Sequence, residues 1–173
     1  MGKKIVAFGA SSARQSINKY LAYYAASLVE GGEVVEIDLA EFDLPIYSID
    51  VEGEIGIPTA AKDLLSTIQS ADGLIISIAE HNGTYSTAFK NAFDWMSRID
   101  GKLWADIPMV LLSTSPGPRG GATALGIAAD RFPYMGGNIV GKLVVPNFTE
   151  NFQEGKLINE ELNKDLIEQI SKI

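Results

Sequence analysis

Apolar residues recur along this chain in two alternating patterns, one typical of buried strands and one of amphipathic helices. Five segments are predicted to be strands: residues 3–8, 33–39, 73–79, 108–113 and 139–145. Two of them, 73–79 and 108–113, are near-continuous apolar runs, as expected of central parallel strands covered on both faces. In 33–39 apolar and acidic residues alternate, which predicts a strand with one exposed face.

Between the strands, apolar residues recur at helical spacing. The predicted helices are residues 16–31, 59–70, 86–99, 121–132 and 160–173. Ser16 is suited to cap the first helix, and Gly31 to end it. The inward face of this helix is predicted to consist of Ile17, Tyr20, Leu21, Tyr24, Ala25 and Leu28. Residues 42–58 show no period and contain two prolines, which predicts a long loop.

Strands that alternate with helices over the whole length predict a parallel sheet with right-handed crossovers. Five strands and five helices favour a flavodoxin-like, doubly wound α/β fold, with strand order 2-1-3-4-5 and helices on both faces. The 173 residues suffice for one core without metals or disulfides. Since no repeat or linker is visible, residues 1–173 are predicted to form a single domain.

The charge and composition of the chain argue against several classes of binding partner. A net charge of −8 and a pI of about 4.6 argue against nonspecific binding to nucleic acid, which requires basic residues to neutralise phosphates. The absence of cysteine excludes thiolate chemistry and disulfides, and it suits a cytoplasmic protein. The first apolar run is too short for a signal peptide, and no run is long enough to span a membrane. We therefore expect a cytoplasmic protein with no membrane or nucleic-acid partner.

Three small, polar loops follow predicted strands: residues 9–18, 80–85 and 113–121. Because the carboxyl ends of parallel strands meet at one edge of a sheet, these loops are expected to converge on one crevice.

The first loop has features of a phosphate site. Ser11, Ser12 and Ser16 provide hydroxyls, Asn18 an amide and Arg14 a charge, next to the N-terminus of a helix. The alternative is an ordinary capped turn. The loop lacks the glycine pattern of dinucleotide folds and the Gly-Lys-Ser ending of a P-loop. It also lacks the carboxylates that a phospho-acceptor receiver domain needs.

The second loop has features of a site for a flat ligand. Gly83 permits close approach of the backbone, and the N–H groups of Asn82 and Thr84 could bond ring carbonyls and nitrogens. The alternative is a helix start capped by Asn82 or Thr84. His81 is the only histidine, and no triad or metal-ligand pattern surrounds it, so packing or hydrogen bonding is favoured over acid–base catalysis. The third loop is either a ligand loop or a flexible surface turn.

Two segments carry a resemblance to a known family. Residues 80–84 (Glu-His-Asn-Gly-Thr) and 89–95 (Phe-Lys-Asn-Ala-Phe-Asp-Trp) resemble the Pro-Glu-Tyr-Asn-Gly-Ser and Leu-Lys-Asn-Ala-Leu-Asp-Trp of the NADPH-dependent FMN reductase family. Residues 16–18 match the end of the family's Gly-Ser-x-Arg-x-x-Ser-x-Asn loop. The resemblance runs from residue 3 to about residue 145. Ala79 replaces the family's proline and His81 its tyrosine.

The resemblance implies which residues hold FMN. Its phosphate would lie on Ser11, Arg14, Ser16, Ile17 and Asn18, with Arg14 one residue nearer Ser16 than in the family pattern. Its ring would lie along Glu80, His81, Asn82, Gly83 and Thr84. The far side of the ring would meet Ser115, Pro116, Gly117, Gly120 and Gly121.

The implied activity is hydride transfer from NADPH or NADH to FMN and on to a small acceptor, which is a quinone, a flavin or an azo compound. No side chain need be catalytic, and His81 would either hydrogen-bond the acceptor or simply lie at the edge of the flavin ring. Arg14, Lys19 and Arg119 are each candidates to meet the 2′-phosphate of NADPH.

The resemblance also implies a homodimer or homotetramer, with Phe93, Trp95 and Trp104 as candidate contacts, unless these aromatics are buried within one chain. The alternatives for function are a flavodoxin-type one-electron carrier and a flavin-binding protein without enzymatic activity.

Overall fold

The computed structural model describes residues 2–173 as nine strands and seven α-helices. The strands are β1 (Lys4–Gly9), β2 (Glu33–Ile37), β3 (Gly73–Ile78), β4 (Glu80–His81), β5 (Thr84–Tyr85), β6 (Pro108–Thr114), β7 (Asn138–Val145), β8 (Phe152–Gln153) and β9 (Lys156–Leu157). The helices are α1 (Ile17–Ser27), α2 (Ile49–Ile55), α3 (Thr59–Gln69), α4 (Thr87–Ile99), α5 (Ala122–Arg131), α6 (Phe148–Asn151) and α7 (Glu160–Ile170). Short 3₁₀ turns occupy Leu39–Glu41 and Phe132–Met135.

The five long strands form one parallel sheet in the order β2-β1-β3-β6-β7. Numbered among themselves, these strands have the predicted order 2-1-3-4-5, which confirms the flavodoxin-like arrangement. One apolar core packs α1 and α7 on one face of the sheet, and a second core packs α3, α4 and α5 on the other. The inner strands are buried on both faces, which explains their near-continuous apolar sequences.

The inward face of α1 differs from the prediction. Tyr20 is 40% exposed, whereas Ala22 and Ala26 are fully buried against the sheet. Small side chains let the helix lie close to β1. At Gly9, an added Cβ would lie 2.3 Å from the backbone nitrogen of Lys19, so only glycine permits this approach.

The prediction of a plain loop over residues 42–58 is wrong, because this stretch contains α2. Ser48 caps the helix by accepting a hydrogen bond from the N–H of Val51 at 3.1 Å. No residue of α2 is buried, and Ile49 is 66% exposed. The helix therefore lacks the buried apolar face from which a helix is predicted in a sequence. Helix α6 and the β8–β9 hairpin after the last sheet strand were likewise not predicted.

Residues 44–47, which precede α2, are hydrogen-bonded to side chains of α4. The indole Nε1 of Trp95 donates to the carbonyl of Pro45 at 2.7 Å, and Asn91 Oδ1 accepts from the N–H of Tyr47 at 2.9 Å. This attachment fixes residues 44–47 beside the first turns of α4.

The three aromatics proposed as contacts between subunits lie inside the chain instead. Trp95 and Trp104 have no exposed surface, and Phe93 is 5% exposed. The rings of Trp104 and Phe132 are 4.4 Å apart between centroids, within a cluster that also contains Phe89. The expectation that they contact a partner is therefore wrong, since all three are buried in the core of one chain.

Candidate active site

The three polar loops meet at the carboxyl edge of the sheet, because β1, β3 and β6 are neighbours. Two hydrogen bonds fix the first loop to the strand and helix beside it. Ala10 donates its N–H to the carbonyl of Ser77 at 2.8 Å, and its own carbonyl accepts from Ser86 Oγ at 2.7 Å. The first loop is thus bonded to β3 and to the residue that directly follows the second loop.

Asn18 joins the ends of β3 and β6 to the start of α1. Its Oδ1 accepts from Ser77 Oγ at 2.7 Å and from the N–H of Thr114 at 3.1 Å, and its Nδ2 donates to the Thr114 carbonyl at 3.2 Å. The residue is 4% exposed. Sequence reasoning did not single out Ser77 or Thr114. Ser77 is a hydroxyl within an otherwise apolar strand, and Thr114 was included in the third loop without a role of its own.

Ser11 and Ser16 are buried in the first loop with donor capacity to spare. Ser16 Oγ caps α1 by accepting from the N–H of Lys19 at 3.2 Å, as predicted, and Ser11 Oγ accepts from the N–H of Ala13 at 3.2 Å. Both hydroxyls act here as acceptors, so each retains a proton to donate. The N–H groups of Ile17 and Asn18, in the first turn of α1, have no acceptor within the helix. These donors at the positive end of a helix suit an anion such as phosphate.

Lys19 is committed to a partner. Its Nζ lies 2.5 Å from Asp38 Oδ2 and donates to the carbonyl of Arg14 at 2.9 Å. Burial alone would raise the pKa of the Asp38 carboxyl, but hydrogen bonds from Lys19 and from the N–H of Ala40 outweigh it and hold the pKa below the ordinary value. Lys19 therefore stabilises the first loop and is not free to meet a second anion.

The second loop is a hairpin of β4 and β5, with Asn82 and Gly83 at its turn. Both residues have positive φ, 52° and 76°, the conformation of a type I′ turn. The alternative of a helix capped by Asn82 or Thr84 is wrong, because Ser86 caps α4 by accepting from the N–H of Phe89 at 3.2 Å. Nothing lies within 4 Å of an added Gly83 Cβ, so this Cα faces open space.

Glu80 connects the second loop to the third. Its Oε2 accepts a hydrogen bond from the N–H of Ala124 at 3.0 Å, in the first turn of α5. The N-cap of α5 is Gly121, which has no side chain to cap the helix. The Glu80 carboxylate supplies the missing acceptor and lies at the positive end of the helix dipole. His81, next in the hairpin, is exposed.

The third loop is held in place, which argues against a flexible surface turn. The carbonyls of Ser115 and Gly117 each accept at 3.0 Å, from the N–H groups of Phe148 and Asn147. At Gly120 an added Cβ would lie 2.5 Å from Val144 Cγ1, so this glycine is required for packing. Of the remaining predicted residues, Pro116 is exposed and Gly121 is buried.

A buried hydroxyl lies unpaired beside this loop. Ser113 Oγ has no exposed surface and no hydrogen-bond partner among residues 2–173. It lies 3.6 Å from the position of a Cβ added to Gly121, and the Cβ of Glu80 lies equally close to that position. Buried polar groups are normally paired, so this hydroxyl has capacity for a water or a ligand atom.

A cavity of about 560 Å³ lies between the first loop and α4. We call it the Arg14 cavity. Its wall is formed by Ser12, Arg14, Leu39, Ala40, Phe42, Asp43, Leu44, Ile46, Thr87, Ala88, Asn91 and Ala92. Of the residues predicted to hold the phosphate, Arg14 lines this cavity, whereas Ser11 and Ser16 do not.

Neither a membrane-spanning helix nor a metal-binding cluster is found within the residues that the structure describes. From Gly2 to Ile173, no helix combines the length and the apolar character needed to cross a membrane. Over the same range, acidic and histidine side chains form no cluster able to hold a metal ion.

Comparison with known proteins gives concordant matches. The family model described as NADPH-dependent FMN reductase matches residues 3–150. A quinone reductase of Escherichia coli K12 is 32% identical over 126 residues, 66% of this chain and 66% of that one, so just under two thirds of the relative is spanned. A 2-hydroxy-1,4-benzoquinone reductase of a Burkholderia species is 36% identical over 126 residues, 72% of this chain and 67% of that one.

A solved structure of similar fold also belongs to a flavoenzyme. The flavoenzyme FerB, an NAD(P)H:(acceptor) oxidoreductase from Paracoccus denitrificans, superposes with a TM-score of 0.76 at 25% identity. That similarity covers 98% of this chain and 93% of the other.

Proposed function

The chain belongs to the NADPH-dependent FMN reductase family, and on that premise we propose that it binds FMN and transfers reducing equivalents from NADPH or NADH to a small acceptor. The proposed acceptor is a quinone, a flavin or an azo compound. Besides family membership, one structural observation supports the proposal. Three loops lie at one edge of the sheet, and hydrogen bonds of Ala10, Asn18 and Glu80 hold them together. They present phosphate donors at one end and an open turn at the other.

The donors of the first loop fit a phosphomonoester. Ser11 and Ser16 offer hydroxyl protons, and Ile17 and Asn18 offer backbone N–H groups at the start of α1. The Asn18 side chain is already bonded to Ser77 and Thr114, so at most one of its N–H groups is left for a ligand. We propose that Asn18 acts mainly by positioning the loop.

The hairpin and the third loop fit a flat ring between them. Asn82, Gly83 and Thr84 offer backbone groups, and the open space at the Gly83 Cα leaves room for a ring to lie against the backbone. Ser115, Pro116 and Gly117 would line the opposite side, while Gly120 and Gly121 hold that loop against β7 and β6. The Glu80 carboxylate, engaged with Ala124, would keep the two sides at a fixed separation.

When bound, FMN supplies the redox chemistry, so this chain contributes binding and orientation. The hairpin holds its backbone donors rigidly, because the Asn82–Gly83 turn and the Ser86–Ala10 bond fix it at both ends. Nucleotide and acceptor are proposed to occupy the same exposed face in turn, which makes turnover ping-pong. His81 is exposed in the hairpin, and we propose that it hydrogen-bonds the acceptor.

The cellular location, the domain organisation and the oligomeric state are proposals as well. We infer a cytoplasmic protein of one domain over residues 1–173 that forms a homodimer or homotetramer. Since the buried tryptophans are excluded as contacts, exposed apolar residues near α2 are the better candidates. Ile49 is 66% exposed and Ile55 58%. These side chains would lose apolar surface to a second subunit, which is favourable.

Steady-state kinetics test the proposal. Under anaerobic conditions, protein reconstituted with FMN should oxidise no more NADPH or NADH than its bound flavin can accept until a quinone is added. Turnover with quinone should give parallel double-reciprocal plots, as expected of a ping-pong mechanism. Free FMN at the same concentration serves as the control. No oxidation above that control, with either nucleotide and a panel of quinone, flavin and azo acceptors, would contradict the proposed activity.

A further inference from the structure

We propose that the Arg14 cavity receives the adenosine end of the nicotinamide dinucleotide, and that Arg14 favours NADPH by binding its 2′-phosphate. The inference rests on the proposed function, since it concerns the nucleotide of that reaction. It answers a question that the sequence leaves open, namely which of three basic residues meets this phosphate.

The cavity adjoins the proposed ring site. Two residues of its wall, Thr87 and Ala88, lie at the start of α4, just after the hairpin. Ser86, which separates the hairpin from α4, donates a hydrogen bond to the carbonyl of Ala10 in the first loop. A dinucleotide with its nicotinamide over the hairpin turn would therefore extend along the start of α4 into the cavity. The volume of about 560 Å³ lies within the usual range of small-molecule sites.

The wall combines two kinds of residue. Leu39, Phe42 and Leu44 are apolar and suit the faces of an adenine ring. Ser12, Arg14 and Thr87 contribute two hydroxyls and a guanidinium to the same wall. Apolar side chains together with hydroxyl and guanidinium donors match a purine that carries a phosphate on its ribose.

Arg14 is the basic residue that remains available. Lys19 is paired with Asp38. Arg119 lies outside the cavity wall, and its Nη2 donates to Thr123 Oγ1 at 2.6 Å. The exposed Arg14 guanidinium has no hydrogen-bond partner within residues 2–173, and guanidinium groups bind phosphate oxygens in pairs.

Asp43 belongs to the same wall as Arg14. In nucleotide sites an acidic residue favours the free ribose diol of NADH, whereas an arginine favours the 2′-phosphate of NADPH. The balance of these two charges would set the preference of the site. Removing one charge at a time should therefore shift the preference in opposite directions.

Binding of unreactive probes tests the inference without turnover. Calorimetry should show that adenosine 2′,5′-bisphosphate binds the wild-type protein more tightly than adenosine 5′-phosphate. In Arg14→Ala this difference should fall by about tenfold, the scale of one charge-assisted pair. In Asp43→Asn it should grow. The matched control Arg119→Ala should keep the wild-type difference.

Kinetics and flavin affinity complete the test. Arg14→Ala should lower kcat/KM for NADPH and leave that for NADH within about twofold, at saturating FMN. Equal loss with both nucleotides would overturn the inference, as would an Arg119→Ala variant that loses the probe difference. Weaker binding of FMN with unchanged binding of riboflavin in Arg14→Ala would also overturn it, because Arg14 would then serve the flavin phosphate. Failure of the proposed function would look different: the probes would still discriminate although no nucleotide was oxidised.

Discussion

The carboxylate of Glu80 accepts a hydrogen bond from the backbone N–H of Ala124 at 3.0 Å and so caps α5 from outside the helix. This bond joins the hairpin to the start of α5, 44 residues further along the chain. It gives the glutamate of the family motif a structural role that is independent of any contact with flavin.

Substitution of Glu80 should measure that bond. Glu80→Ala should lower the free energy of unfolding by about 1–2 kcal/mol, the usual value of a lost N-cap. Glu80→Gln keeps an acceptor and loses only the charge, so it should cost about 0.3–1 kcal/mol. Urea denaturation without flavin measures both, and the exposed Glu168→Ala serves as the control. Equal stability of Glu80→Ala and wild type would refute the capping role.

Asn18 should matter more for stability than a surface residue of the same loop. Asn18→Ala leaves the Ser77 hydroxyl and both backbone groups of Thr114 without their partner in a buried environment. We expect a loss of about 2–4 kcal/mol in urea denaturation. The exposed Ser12→Ala should change stability by less than about 0.5 kcal/mol. A small effect of Asn18→Ala would show that the cross-link is dispensable.

Much of this fold was predictable because its signals are local. The central strands are continuous apolar runs, and five strands alternating with five helices fit the flavodoxin-like strand order. Helix α2 escaped prediction because none of its residues is buried, so apolar periodicity is absent. The β4–β5 hairpin escaped because strands of two residues are too short to alternate, although the Asn82–Gly83 pair was an available signal.

The candidate site was predictable only in part. The hydroxyls of the first loop and the cap at Ser16 follow from residue types beside a helix start. The bonds of Asn18 to Ser77 and Thr114 join residues 59 and 96 positions apart, and no local pattern indicates them. The same holds for the wall of the Arg14 cavity, which brings residues 39–46 beside Arg14 and α4.

The phosphate contact of Ser16 is testable with two flavins. Ser16→Gly removes the hydroxyl and weakens the helix cap by only a few tenths of a kcal/mol, because glycine is itself tolerated at N-cap. FMN affinity should fall by about 1–3 kcal/mol, while riboflavin, which lacks the phosphate, should bind as to wild type. Fluorescence titration of each flavin measures both constants. Equal weakening of the two flavins would place the phosphate elsewhere.

Tyr85 should govern part of the stability at alkaline pH. Burial raises the pKa of its hydroxyl to about 12, a shift that the charge of Arg131 partly offsets. The unfolded chain therefore loses this proton near pH 10, before the folded chain does, and stability falls as pH rises from about 10 to 12. Tyr85→Phe should reduce that fall by about 2 kcal/mol.

At neutral pH, Tyr85→Phe should be at least as stable as wild type, because the buried hydroxyl has no partner among residues 2–173. Urea denaturation at neutral and alkaline pH measures both effects, with the exposed Tyr20→Phe as the control. An unchanged alkaline slope in Tyr85→Phe would contradict the assignment.

The most direct test of the central claim is an anaerobic titration of the FMN-loaded protein followed by visible absorbance. The account predicts that the protein takes up FMN stoichiometrically, that NADPH or NADH bleaches the bound flavin, and that an added quinone restores its colour. Failure to take up FMN, or bound flavin that neither nucleotide bleaches, would contradict it.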